Sequence, residues 1–143
     1  MIRERVADNV YVFTSELYAQ VNAGAVIGPD FSVVIDTLAY PEETLEIRDF
    51  VENKLGSRVR YVINTHYHAD HALGNSWFKG AVILGHRRTR QLMDSLGRES
   101  IERARQRSRE LRDVELVLPD AVFDDGELNL RVGKRTLQLL PLP

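Results

Sequence analysis

A chain of 143 residues, 43% hydrophobic and 28% charged, has the profile of a soluble globular domain, and its length suits one domain that buries a core without staples. A formal charge of −2 offers no overall field for nucleic acid or membrane, and the absence of cysteine excludes disulfides, thiolate metal sites and a cysteine nucleophile, which agrees with a reducing, cytoplasmic setting. The start Met1-Ile2-Arg3-Glu4-Arg5 has no apolar core of a Sec-type signal, and no stretch approaches the roughly 18 apolar residues that a membrane span needs.

The first third reads as strands. Val10-Tyr11-Val12-Phe13 is a short β-rich run, and Gln20 to Ile27 is a second that ends at the turn signal Gly28-Pro29-Asp30. Ser32-Val33-Val34-Ile35-Asp36 follows, so the last two runs predict a hairpin. Pro41-Glu42-Glu43 opens a helix, because proline suits a first turn and acids there complement the dipole. Ile47, Phe50, Val51 and Leu55 form one apolar stripe on it, and Lys54 with Gly56 stops it. Val59 to Asn64 is a strand, Thr65 to His71 a loop at its C-terminal end, and Ala81 to Leu84 another strand. From His86 to about Asp113 the pattern is helical but polar, with a narrow stripe of Ile101, Ala104 and Leu111 and a break expected at Gly97. Short strands are predicted around Val122-Phe123, Leu128 to Val132 and Thr136 to Leu140. The order predicts a mixed α/β layer structure with one sheet and no internal domain boundary.

Chemistry concentrates in Thr65-His66-Tyr67-His68-Ala69-Asp70-His71-Ala72-Leu73-Gly74-Asn75, which holds three of the four histidines within six residues. Imidazole and carboxylate are the donors that bind a borderline divalent ion. His66 and His68 are two apart, so an extended backbone turns both to one side, where one ion can take both. Asp70 and His71 come as the chain turns away, which favours a second, nearby ion. Two ions can polarise a carbonyl or phosphoryl oxygen and make water a nucleophile near neutral pH. The competing reading, a polar loop whose histidines cap strands or face solvent, suits one histidine better than three with an aspartate.

The run His66-x-His68-x-Asp70-His71, after Asn64-Thr65 and before Leu73-Gly74-Asn75, resembles the signature of the metallo-β-lactamase superfamily. Its Asp-His ending looks like the glyoxalase II and lactonase-like branches. The early hairpin, Asp36 at a strand end, the helix at 41–55 and the strand at 59–64 fall in the family's order. The resemblance implies the N-terminal αβ half of an αββα sandwich, with residues 1–143 forming a single half domain. It implies His66 and His68 on the first metal and Asp70 and His71 on the second, with Asp70 also orienting the nucleophile. The cofactor implied is zinc, two ions, with iron or manganese as alternatives. The implied reaction is attack of a metal-bound hydroxide on a small-molecule ester, thioester, lactone, amide or phosphodiester.

One departure from the family shapes a further expectation. In the family a segment like Leu139-Leu140-Pro141-Leu142-Pro143 runs into Gly-His-Thr-Pro-Gly, whose histidine is the third ligand of the first metal. This sequence stops before it, and it lacks the later bridging aspartate and final histidine as well. Two ligands per ion fall short of the three plus water usual for catalytic zinc. A missing second sheet layer would leave an open face. The expectation is completion by a separate C-terminal half or by a second copy of the chain. The alternative is a non-catalytic half-fold that binds metal and self-associates.

His86, the remaining histidine, matches no ligand position and reads as a helix-start residue. Asp36 either hydrogen-bonds a ligand histidine or serves as a turn residue before Pro41. Tyr67, Trp77 and Phe78 read as core or pocket wall, and Asp124-Asp125-Gly126 as a turn. Between 87 and 112 nine arginines face four acids. They suggest either a phosphate-facing helix of a nucleic-acid-processing enzyme or a solvated face laced with pairs such as Glu99–Arg103 and Glu102–Arg105. No aromatic residue interleaves to stack on bases, so the solvated face is favoured and nucleic acid is not expected as a partner.

Overall fold

A computed structural model describes residues 1–141. Seven strands form one sheet in chain order: β1 (Ile2–Ala7), β2 (Val10–Thr14), β3 (Asn22–Val26), β4 (Ser32–Ile35), β5 (Val59–Ile63), β6 (Val82–His86) and β7 (Ala121–Phe123). The first four pair antiparallel, and β4 to β7 pair parallel. Strands β8 (Leu128–Val132) and β9 (Arg135–Leu139) form a separate hairpin. The expected α/β class, the β3–β4 hairpin and most strand positions agree with this architecture. Leu142 and Pro143, the end of the segment whose continuation the family resemblance concerns, lie outside the described residues.

The crossovers place helices where the parallel strands need cover. Helix α1 (Pro41–Asp49), continued by a π turn at Phe50–Lys54, buries Ile47, Phe50 and Val51 against Phe13, Ala25, Val34 and Val62 on one sheet face. Leu55, predicted for the same stripe, is exposed, because the widened turn carries it past the sheet. The other face is not open. Val26, Val33, Ile63 and Leu84 pack against Val132, with Leu128, Leu130, Leu137 and Leu139 beside it, so the β8–β9 hairpin begins a second layer there. The expectation of a bare second face is corrected: alternating apolar residues at 128, 130, 132, 137 and 139 supply a covering ribbon.

Three local readings also change. Strand β1 has no counterpart among the predicted elements, since all six of its residues are exposed and an edge strand of this kind carries no apolar alternation. The predicted loop at 65–71 contains a short helix, α2 (Ala69–Ala72), followed by a 3-10 turn at Leu73–Trp77. The arginine-rich stretch divides into two α-helices at Gly97, but through a π turn rather than a stop. Helix α3 (Arg87–Leu92) passes through a π turn at Met93–Gly97 into α4 (Arg98–Arg107) with Gly97 itself at helical φ −69° and ψ −34°. Its apolar stripe behaves as read: Ile101 and Leu111 are buried with Ala39, Leu73 and Val114, and Ala104 packs beside them. Among the described residues no helix is long and apolar enough to cross a membrane.

Candidate metal centre

The site forms where the parallel strands β4 and β5 end side by side. Ile35 is in register with Ile63, and the Asp36 N–H donates to the Ile63 carbonyl at 2.8 Å, so the residues that follow each strand emerge together. The carboxyl ends of parallel strands are where open α/β sheets place their ligands. Asp36 then adopts φ +60° and Leu38 φ +63°, left-handed conformations that non-glycine residues hold only when the surroundings over-determine them.

What over-determines Asp36 is its side chain. It is 4% exposed and accepts three hydrogen bonds: Oδ1 from the Thr65 N–H at 2.8 Å, and Oδ2 from the Thr65 hydroxyl at 2.7 Å and His71 Nδ1 at 2.8 Å. Of the two roles read for Asp36, the hydrogen-bonded partner of a histidine is the one found. Because the Thr65 hydroxyl gives its proton to Asp36, its oxygen accepts from His66 Nδ1 at 2.9 Å. One carboxylate therefore sets two tautomers, directly for His71 and through Thr65 for His66. In the neutral form of both rings Nε2 is left with its lone pair, the arrangement that orients metal-binding histidines.

The motif residues converge around these two rings. His66 and His71 have ring centroids 4.1 Å apart, closer than His66 and His68 at 5.0 Å. Asp70, in the first turn of α2, brings Oδ2 to 3.8 Å from His71 Nε2. A ligand atom from each of Asp36, His66 and His71 lies within 4.8 Å of the others, so these three are a candidate metal-holding group. His68 is exposed, with its ring against Tyr67 at 4.5 Å. Burial and the neighbouring His71 charge lower the pKa of His66, which keeps it neutral and able to ligate. The hydrogen bond to Asp36 raises that of His71.

The His71–Asp36 pair carries a pH dependence whose sign follows from that direction. A raised folded-state value means that the pair's stabilisation is complete below about 6.5, the ordinary histidine value, and is lost as pH rises through the raised value. In metal-free protein the stability difference between wild type and His71→Gln should therefore shrink as pH climbs from 6 towards 8. Urea unfolding at several pH values measures it, and a difference that grows with pH would contradict the pairing.

Beneath the motif, Asn64 and Asn75 exchange two side-chain hydrogen bonds at 3.0 and 2.8 Å, and Asn75 also donates to the Val117 carbonyl at 3.0 Å. Both are buried. This pair explains why Asn64 and Asn75 bracket the motif, although neither meets a candidate ligand in the sequence. Two cavities flank the site. One of about 530 Å³, on the hairpin side, is lined by Thr65, His66, His86 and Leu139. The other, about 550 Å³, lies on the α4 side beside His68 and Asp70.

The remaining residues singled out in the sequence fall as follows. His86 caps α3, its Nδ1 accepting from the Arg88 N–H at 3.0 Å, as read for a helix-start residue. Phe78 is core, Tyr67 lines a small cavity beside His68, and Arg48 donates to the Trp77 carbonyl at 2.8 Å. Gly126 takes φ +95° in the turn after β7, where Asp124 pairs with Arg87 at 2.5 Å. Glu102 and Arg105 pair at 3.5 Å as predicted. The Glu99–Arg103 pair is not among the ion pairs of the described residues, and Arg103 lines the cavity beside His68 and Asp70.

A family model described as the metallo-beta-lactamase superfamily matches residues 18–139. The chain belongs to this superfamily. Solved metallo-β-lactamases share its fold. One from Pontibacter korlensis is 19% identical at a TM-score of 0.71, covering 96% of this chain and 58% of its own. One from Hirschia baltica is 21% identical at 0.63, with coverages of 91% and 56%. FIM-1 from Pseudomonas aeruginosa, described in a mono-zinc form, is 17% identical at 0.63, with coverages of 87% and 51%. The chain thus spans about half the length of these relatives. Metal binding, usually of zinc, is a property of the superfamily, and Asp36, His66 and His71 are a possible metal-holding group in this chain, one that includes neither His68 nor Asp70 of the expected ligands.

Proposed function

We propose that this chain carries the metal-binding half of a metallo-β-lactamase-type hydrolase that cleaves a small-molecule ester, thioester, lactone, amide or phosphodiester. His66 and His68 would hold one ion and Asp70 and His71 a second. The observation that carries the reading is the Asp36 carboxylate, which accepts from Thr65 and His71 and so leaves Nε2 of both His66 and His71 free for a metal. Three imidazoles and a carboxylate suit zinc, and iron or manganese also accept them. When bound, the metal supplies Lewis acidity and a water acidified to near neutral pH. Asp36 and Thr65 hold the ligand tautomers, and the Asp70 carboxylate orients the attacking water. The cysteine-free composition supports a cytoplasmic setting.

Each ion takes two ligands from the motif, so the rest would come from a C-terminal half, on the same polypeptide or another, or from a second copy of this chain. Metal content measured together with mass in solution distinguishes these arrangements. Ester hydrolysis by the purified chain without a partner would refute the alternative of a non-catalytic assembly module. In the completed protein, His66→Ala and His68→Ala are each expected to abolish tight zinc binding, read as bound zinc after equilibrium dialysis. Wild-type stoichiometry in either variant would overturn the ligand assignment.

A further inference from the structure

The cavity on the α4 side of the motif is walled by Tyr18 and Tyr40, by His68 and Asp70, and by Arg103 and Arg107. Four residues apart on one helix, the two arginines stand side by side, a like-charged spacing that costs stability unless an anion joins them. Some other cations of this region are engaged by the fold, and of the arginines with no ion pair among the described residues only Arg103 and Arg107 line this cavity. Arg98 pairs with Asp94 at 3.0 Å, Arg90 donates to the Pro119 carbonyl, and Arg105 donates to the Val114 carbonyl at 2.7 Å and meets Glu102. Among the described residues, neither Arg103 nor Arg107 has a carboxylate within ion-pair distance. The acid lining their cavity is Asp70, one of the proposed metal ligands, whose charge an ion would neutralise.

We propose that Arg103 and Arg107 are specificity-determining residues that receive an anionic group, carboxylate or phosphate, on the substrate of the hydrolase proposed above; the assignment of this wall to an active site rests on that reading. Guanidinium groups match either anion bidentately. A cavity of about 550 Å³ that also contains His68 and Asp70 holds a small molecule, with its anionic end on α4 and its reacting end at the motif. No aromatic residue interleaves with the arginines of α4 to stack on bases, so a small anion fits them better than RNA.

The test titrates glutarate, methyl phosphate and neutral glutaramide into the isotopically labelled chain and follows amide shifts of Ser100 and Ala104. At least one anion should move these signals where glutaramide does not, and the tighter of the two anions identifies the group. Arg103→Gln/Arg107→Gln should weaken that binding by about tenfold, and Arg103→Lys/Arg107→Lys by less, since charge remains and the fork is lost. Equal binding by wild type and the Gln variant, or no shift with either anion, overturns the proposal. So does arginine-dependent binding of a single-stranded RNA oligonucleotide that is tighter than that of both small anions. Zinc added to the same sample and read at the ring signals of His66, His68 and His71 reports the metal site separately. Anion shifts with no zinc response at these rings, once the chain is completed by the half or second copy that supplies the remaining ligands, would refute the metal reading while keeping the arginine wall, and the reverse would refute the wall alone.

Discussion

Asp36→Asn is expected to weaken zinc binding by roughly 10–100-fold while leaving the fold intact, the range seen when the partner of a ligand histidine is changed. The shape is nearly conserved and asparagine accepts the φ of +60°, so backbone strain does not rise. What changes is the direction of protons. The carboxylate accepts from Thr65 and from His71 Nδ1, whereas an amide presents a donor on one side. An amide nitrogen in the place of Oδ2 faces both His71 and the Thr65 hydroxyl, so the His71 ring must accept through Nδ1 and carry its proton on Nε2, the atom the metal needs, and the hydroxyl turns its own proton to His66 Nδ1. In the place of Oδ1 the nitrogen would oppose the Thr65 N–H, donor against donor, which disfavours that orientation. The favoured orientation therefore turns both ligand rings the wrong way. Competition with a chromophoric zinc chelator measures the affinity, and nitrogen shifts of the His66 and His71 rings report the tautomers. Wild-type affinity in this variant would mean that Asp36 does not set the ligands.

Gly74→Ala is expected to destabilise the protein by about 3 kcal/mol, the upper range for overpacking a tight site. A Cβ at this position would lie 2.6 Å from Cγ2 and Oγ1 of Thr44 and 2.7 Å from Cβ of Thr37. Neither neighbour can yield, since both threonines are fully buried and bonded. Thr44 Oγ1 donates to the Thr37 carbonyl at 2.7 Å, and Thr37 Oγ1 accepts from the Gly74 N–H at 2.8 Å. Thr37 is also tied to the motif, its N–H donating to the His71 carbonyl at 2.9 Å. The clash should therefore be felt twice, as a lower urea midpoint and as weaker zinc binding, because the strut that seats His71 shifts with it. Thr44→Ala in the same chain removes both nearest atoms and should recover part of the loss. A midpoint equal to wild type in the single variant would contradict this packing.

How much of the centre could be read in advance depended on whether a residue's role is local. His66, His68, Asp70 and His71 lie within six positions of one another, so donor chemistry and spacing alone marked them. The tighter approach of His66 to His71 than to His68 could not be read, because it depends on how α2 turns after the strand. Asp36 was recognisable as a strand-end acid with two possible uses. Choosing between them required the parallel pairing of β4 with β5, a contact between residues 28 apart in Ile35 and Ile63. Asn64 and Asn75 gave no signal of their own, since a reciprocal amide pair looks like two polar residues until the chain folds back.

Arg103 shows the same division from the other side. Spacing allowed a pair with Glu99, yet among the described residues that pair is not formed and Arg103 lines the cavity beside His68 and Asp70. The hairpin at 128–139 was legible as two alternating strands, while its seat on Val33 and Ile63 was not.

The sequence by itself determined the elements, the donor set and the family to which they point, because periodicity, turn residues and clustered imidazoles act over a few positions. Only the tertiary structure decided which nitrogen each histidine leaves free, which arginines face the site and what covers the second sheet face. Those outcomes depend on strand register and helix placement, where partners distant in the chain compete for the same hydrogen bonds and the same space.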